Sequence, residues 1–353
     1  YACASCAARF GARILACMRA HTQAGELMRA AQQQRRCAFA TDQSTYAAMT
    51  RRTAAGEYVS PYQGLYANRT HWQTLTECER SAYMVRALHC KKPHWVFTGY
   101  SALDVQGITH SRSSHDGAVW IADHQRNAHK HNSPRTPLRR IHLPSDVGTR
   151  IIDGIPVTAG AVTVAVSIAH LPFMHALPLV DDALRKGATV EQLEECCRQL
   201  RVLTPALRTL LHCGNPKSES GGESIARAAI RLLGFAEPQL QVEFPNLRNS
   251  GHVIRVDMLW RLPDGRMIVL EFDGVQKYLD PTMAKHRDVR ILVQTQGERD
   301  ESILRSGVTT IVHCFYDDVV NLRVFDRLLR NAGVPWVGVP NELQGELRMA
   351  LQA

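Results

Sequence analysis

The chain has 353 residues, 45% of them apolar and 21% charged, and a formal net charge of +9. These figures are ordinary for a globular protein, exclude a low-complexity or disordered chain, and allow two or three domains that each bury a core. The charge is one-sided. Residues 1–150 hold 20 Lys and Arg against 9 Asp and Glu, whereas residues 151–353 hold 22 against 24. An Arg-rich excess confined to the N-terminal part favours a polyanion there, and nucleic acid is the partner expected.

Ten cysteines form no disulfide framework, and Cys3 and Cys6 make a lone CxxC without the second pair that a zinc site needs. Small buried thiols in a reducing cytoplasm fit that usage. The chain opens on Tyr1 rather than Met, which leaves open whether residues precede it; Arg9, Arg13 and Arg19 break any signal-peptide core. Residues 154–180 carry no charge and are long enough to span a bilayer. Pro156, Pro172 and Pro178, with alternating Val and Thr, read instead as a buried strand and then a buried helix.

Taken in order, Asp42 is placed to cap a helix running to about Ala55, with Gly56 as its stop. Two β-prone pieces, 57–59 and 65–67, then flank Pro61 and Gly64 as a hairpin. A helix bearing Arg51 and Arg52 followed by a small hairpin suits a winged helix, with those arginines as nucleic-acid contacts. Residues 70–213 read as a mixed α/β middle domain: a helix over 81–89, a strand at 94–100 leading to a helix cap at Ser101, and a helix capped by Thr189. His110, His115, His124, His129 and His131 sit in a polar stretch expected to be a solvated basic loop, because no pair has helical spacing for a metal.

Residues 214–222 have linker composition. Beyond them the pattern predicts a helix from Glu223 to Leu233 and strands at 240–244, 253–260 and 267–272. A helix from about 283 to 305, a strand at 308–315 and a helix at 319–330 follow. Turns at Asn249-Ser250-Gly251 and Pro263-Asp264-Gly265 join the first three strands. Glu223 starts a helix, Asp257 falls near the end of the second strand, and Glu271 and Asp273 close the third on one face. Carboxylates converging from a helix and two strands suit a hard divalent cation, and phosphodiester hydrolysis is the chemistry such a site supports. Lys277 follows Gly274 within reach of a phosphate, and Glu298 is placed to support the site from a helix.

The blocks Gly222-Glu223-Ser224, Val256-Asp257, Glu271-Phe272-Asp273-Gly274 with Lys277-Tyr278, and Glu298-Arg299-Asp300-Glu301 with Leu304 and Gly307, cover the last third of the chain. Their order and spacing resemble the PD-(D/E)XK nuclease superfamily, in its branch related to very-short-patch-repair endonucleases. A looser resemblance links the preceding two-thirds to AbiEi-type antitoxins, through the winged-helix start and the motifs FTGYSAL and DGIPVT. Two departures stand out. The superfamily's signature lysine would fall at position 273, where this chain has Asp, and an arginine is expected where His313 stands.

The resemblance implies an α/β, multi-domain chain. Its parts are a winged-helix-like region (1–69), the middle domain (70–213), a linker (214–222), a restriction-endonuclease-like core (223–335) and a tail (336–353). It implies a Mg²⁺-dependent DNA endonuclease with Asp257, Glu271 and Asp273 as ligands and Glu223 and Lys277 assisting. The alternative is an antitoxin-like repressor with an inactive nuclease fold and a toxin partner or homodimer; a third reading is a basic protein that binds nucleic acid without sequence preference.

Overall fold

A computed structural model describes residues 22–108, 115–124, 137–246, 252–273 and 286–352, with the backbone alone for 286–295. The architecture is mixed α/β with small sheets: among the described residues, one four-stranded sheet and three two-stranded ones. No described helix is long and apolar enough to cross a membrane. The chain divides into two compact units, the first ending at Ser167 and the second beginning at Ile168.

In the first unit a helix over 22–33 (α1) precedes α2 (Gln43–Ala54), the hairpin β1 (Tyr58–Tyr62) and β2 (Leu65–Asn68), α3 (Arg69–Thr74) and α4 (Glu77–Lys91). Asp42 caps α2 as its position predicts, accepting the Thr45 N–H at 2.8 Å. Gly56 leaves the helix with φ +81°, a left-handed stop. The middle stretch departs from expectation at two places. Only Phe97 of the expected strand at 94–100 pairs, bridging to both Ile121 and Val157. The following helix, α5 (Gly99–Gln106), has Thr98 at its N-cap position without a side-chain cap bond, while Ser101 Oγ accepts the Trp120 N–H at 2.9 Å. The polar stretch also contains a strand, β3 (Val119–Asp123), parallel to β4 (Leu138–His142). His115 is therefore not solvated: its Nε2 lies 3.0 Å from Asp104 Oδ2, both side chains buried, with the Tyr100 ring stacked on it. His110, His129 and His131 lie outside the described residues. The antiparallel pair β5 (Thr149–Ile152) and β6 (Ile155–Thr158) and α6 (Gly160–Ile168) complete the unit.

The second unit begins with α7 (Phe173–Arg185), α8 (Val190–Gln199) and α9 (Pro205–His212), residues expected with the middle domain. Their allegiance has a physical cause. Asp181 on α7 is fully buried and pairs with Arg227 at 2.7 Å, and Arg227 belongs to α10 (Gly221–Leu232). The stretch expected as a linker closes the same knot: Asp181 Oδ1 accepts the Asn215 N–H at 2.7 Å, and the Ser218 carbonyl accepts from Arg185. Residues 336–353 are not a tail either. The Trp336 ring N–H donates to the Leu233 carbonyl at 2.9 Å, Val337 N–H donates to Gly234 O, and a further helix covers Gln344–Gln352.

The four-stranded sheet follows α10 in the expected order: β7 (Gln239–Pro245), β8 (Val253–Arg261), β9 (Met267–Asp273), then α11 (His286–Arg305) and β10 (Thr310–Phe315). Spatially it runs β10-β9-β8-β7, with β10 parallel to β9 and the other pairs antiparallel. A parallel neighbour requires a crossover, which α11 supplies. β9 is buried without a break from Ile268 to Glu271, the run expected of a strand covered on both faces. The last helix resolves into two short ones, Tyr316–Val320 and Leu322–Ala332.

Candidate active site

The carboxylates meet where the β8–β9 ladder stops. Its last pair is Met258 with Leu270, so Asp257 and Glu271 stand just beyond it. Asp257 is the fifth of the nine residues of β8 rather than close to its end, because the strand runs on to pair with β7. Past the ladder's end its side chain replaces a main-chain acceptor: Oδ2 takes the Phe272 N–H at 2.9 Å. Opposite it on β7, Gln241 adopts φ +53°, a left-handed conformation rare inside a strand. Its amide is thereby held to Glu223 Oε2 at 3.0 Å.

Glu223 reaches the sheet because of the glycine before it. A Cβ on Gly222 would lie 2.1 Å from Cε1 of Phe272, so only glycine lets the start of α10 rest on that ring. Ser220 caps the helix by accepting the Glu223 N–H, and Glu223 Oε2 also accepts the Glu219 N–H at 3.0 Å. Burial raises the Glu223 acid above its ordinary range, and the nearby Asp257 charge raises it further.

Glu271 is 3% exposed. Burial pushes its acid up to about 8; Arg299 opposes the rise, and Asp257 beside it adds to it. Arg299 Nη2 lies 2.9 Å from Glu271 Oε1, yet that oxygen has no aligned hydrogen bond among the described residues. A counter-charge off the hydrogen-bonding axis compensates the lost hydration only in part, so burial wins. Arg299 itself is held by donating to the Arg255 carbonyl.

Asp273, expected as a third ligand or a base, is engaged otherwise. His313 on β10 places Nδ1 3.0 Å from Asp273 Oδ2 and Nε2 3.0 Å from Asp300 Oδ2. The parallel register sets His313 beside Glu271 and Phe315 beside Asp273, so the imidazole ties the end of β9 to α11. The buried Cys314 thiol is raised first by burial, then by Asp318, Asp273, Asp257 and Glu271, which shows that these charges share one neighbourhood. Glu298, expected to support the site, gives its carbonyl to Ser302 Oγ at 3.0 Å; on α11, Arg299 meets Glu271 and Asp300 meets His313. Lys277 lies outside the described residues. Arg299 and Asp300 belong to the block Glu298-Arg299-Asp300-Glu301, whose spacing alone assigns them no role.

Among the described residues no group of three or more His, Cys, Asp or Glu is set to hold a metal. The cause is visible: Glu223 is tied by two donors and Asp273 by His313. Asp257 and Glu271 remain, and two carboxylates suffice for Mg²⁺, which keeps several of its waters. An all-oxygen donor pair with a buried oxygen lacking a hydrogen bond fits such a cation. The arginines expected to contact nucleic acid lie in the first unit. Arg52 Nη1 donates to Tyr58 Oη at 2.6 Å and its guanidinium covers the Tyr58 ring, so its work is to fasten α2 to the hairpin; Arg51 is exposed.

No family model matches the chain, and no curated protein matches it.

Proposed function

We propose that the chain is a cytoplasmic DNA-binding protein whose second unit carries a restriction-endonuclease-like core that hydrolyses phosphodiester bonds with Mg²⁺. The observation that carries this reading is the pair Asp257–Glu271, side by side where the β8–β9 ladder opens, with Glu271 buried and its Oε1 without an aligned hydrogen bond among the described residues. Asp257 and Glu271 would hold the cation; when bound, it polarises a phosphate oxygen and acidifies a water. Glu223 keeps Gln241 and the start of α10 in register with the sheet. His313 and Asp273 form a hydrogen-bonded pair able to take up a proton at the edge of the site. Arg299 stands beside Glu271 and is a third exposed, and it would exchange that carboxylate for a phosphate when the cation binds. The helix–hairpin of the first unit is the winged-helix-like element of this reading.

Nicking of supercoiled plasmid in Mg²⁺ tests the proposal: wild type nicks and Asp257→Ala does not. Equal nicking by both proteins would mean that the activity belongs elsewhere.

One observation favours a second reading, an antitoxin-like repressor. Arg299 already occupies the place of a counter-ion on Glu271, and position 273 holds Asp in place of the superfamily's lysine. That reading expects no nicking by wild type and sequence-selective DNA binding in EDTA that is lost on deleting residues 1–69.

A further inference from the structure

The first unit carries a group of cations that neither the helix–hairpin nor the packing of the core explains. Arg35 and Arg36 follow α1, and Arg86, Lys91 and Lys92 lie on or just after the second half of α4. One aromatic ring brings the two segments together. The Arg36 guanidinium sits 5.1 Å from the centre of the Phe39 ring, and Lys91 Nζ sits 5.8 Å from the same centre. Two cations on one ring each gain from its face and repel each other.

The remaining members are fixed rather than loose. Arg86 Nη1 donates to the Arg35 carbonyl at 3.1 Å, with Arg35 itself at φ +51°. Arg36 donates to Gln34 Oε1 at 2.7 Å and to the Cys37 carbonyl at 3.1 Å. Lys91 Nζ approaches the hairpin turn so closely that a Cβ on Gly64 would lie 3.2 Å away. No carboxylate lies within ion-pair distance of any of the five among the described residues; Asp153 bears on Arg86 only from further off. The C-terminus of α4 favours a cation at Lys91 but says nothing of Arg35, Arg36 or Arg86. Crowding shows independently: burial and then Arg35 lower Arg86, and burial and then Lys92 lower Lys91, as expected of like charges held together.

We infer that this ridge, gathered around Phe39 beneath the hairpin turn, binds the phosphodiester backbone of double-stranded DNA without reading its sequence. The inference rests on the nucleic-acid part of the function proposed above and not on the nuclease part. Planar arginine forks suit phosphate oxygens, and contacts made only to the backbone position a duplex without specifying its sequence. An anionic membrane is the lesser fit. The exposed large apolar side chains of the described first unit are Tyr46 and Ile151, both outside the ridge, so the ridge has no apolar anchor for a bilayer.

The test uses the full chain in EDTA, where cleavage plays no part, with two unrelated 20-base-pair duplexes titrated across a salt series. Arg36→Gln with Lys91→Gln should weaken both duplexes equally, on the order of tenfold near 0.1 M salt, and flatten the salt slope by about 1.8 for two lost phosphate contacts. The charge-keeping pair Arg36→Lys with Lys91→Arg should restore most of the affinity, which separates lost contacts from misfolding. A comparison pair of exposed arginines, Arg29→Gln with Arg150→Gln, should change the slope far less. Equal losses from the comparison pair, or none from the ridge pair, would overturn the inference. So would phosphatidylserine vesicles that bind more tightly than either duplex and depend on the same residues. Absence of plasmid nicking by wild type, with duplex binding intact, would count against the nuclease reading alone.

Discussion

Two buried carboxylates in the second unit, each beside an arginine, have been given opposite treatment. Asp181 is complete: one oxygen takes the Asn215 N–H, the other takes Arg227, and Arg227 spends its remaining donors on Ser218 Oγ and the Cys213 carbonyl. Glu271 is left incomplete, with an off-axis arginine, a second acid beside it and an oxygen without an aligned hydrogen bond. A fold that satisfies one buried acid in full can do so for another. An acid left short by the described residues therefore marks a place where a further group can bind.

The contrast breaks first at Arg227. Arg227→Ala leaves Asp181 charged and unpaired in the interior and should cost about 3–5 kcal/mol, read as a lower urea midpoint. Next, Asp257→Asn should lower Mg²⁺-dependent nicking by at least about 100-fold, equivalent to about 2.7 kcal/mol, while the urea midpoint stays near that of wild type.

Glu271→Gln should do the reverse of Arg227→Ala and stabilise the metal-free protein. Its pH dependence is specific. The unfolded chain releases the Glu271 proton near the ordinary 4.5, whereas the folded protein keeps it to about 8. Between those values the folded state binds the extra proton, so wild type loses stability as pH rises, and above about 8 the loss is complete. The advantage of the glutamine should be absent at pH 4, grow through neutrality and level off above pH 8 in thermal melts. Smallest is Arg299→Gln, at less than about 1 kcal/mol because this guanidinium is a third exposed. The same change should move the Glu271 titration upward, visible by carboxyl NMR, since it removes the charge that opposes the rise. An effect on stability as large as that of Arg227→Ala would erase the distinction between the two acids.

Much of this frame could be read from the chain, for local reasons. Asp42, Thr189 and Ser220 each cap the helix they precede, and the strands of the main sheet differ from expectation by a residue or two at their ends. Glu223, Asp257 and Glu271 do come together. What escaped the sequence depends on partners far along it. β3 hides in a polar stretch because its pairing with β4 is reached only after the intervening segment. The start of α5 at Gly99 follows from the Trp120 ring, which a Cβ there would meet at 2.2 Å. The role of His313 required knowing that β10 lies beside β9, forty residues from Asp273. The allegiance of residues 168–213 shows in contacts such as the ion pair of Asp181 with Arg227, which no periodicity announces.

The lacing of the chain's last part onto α10 bears on how the molecule can be cut. Gly234 has φ +80°, and a Cβ there would stand 2.6 Å from the carbonyl carbon of Gly338: main chain lies directly on main chain. A fragment ended after residue 335 retains every candidate ligand. It also strips the partners from the Leu233 and Gly234 carbonyls, at the end of the helix whose beginning holds Glu223. The C-terminal limit of a portable site is therefore set where Gly338 meets Gly234, at the far end of a helix from the chemistry.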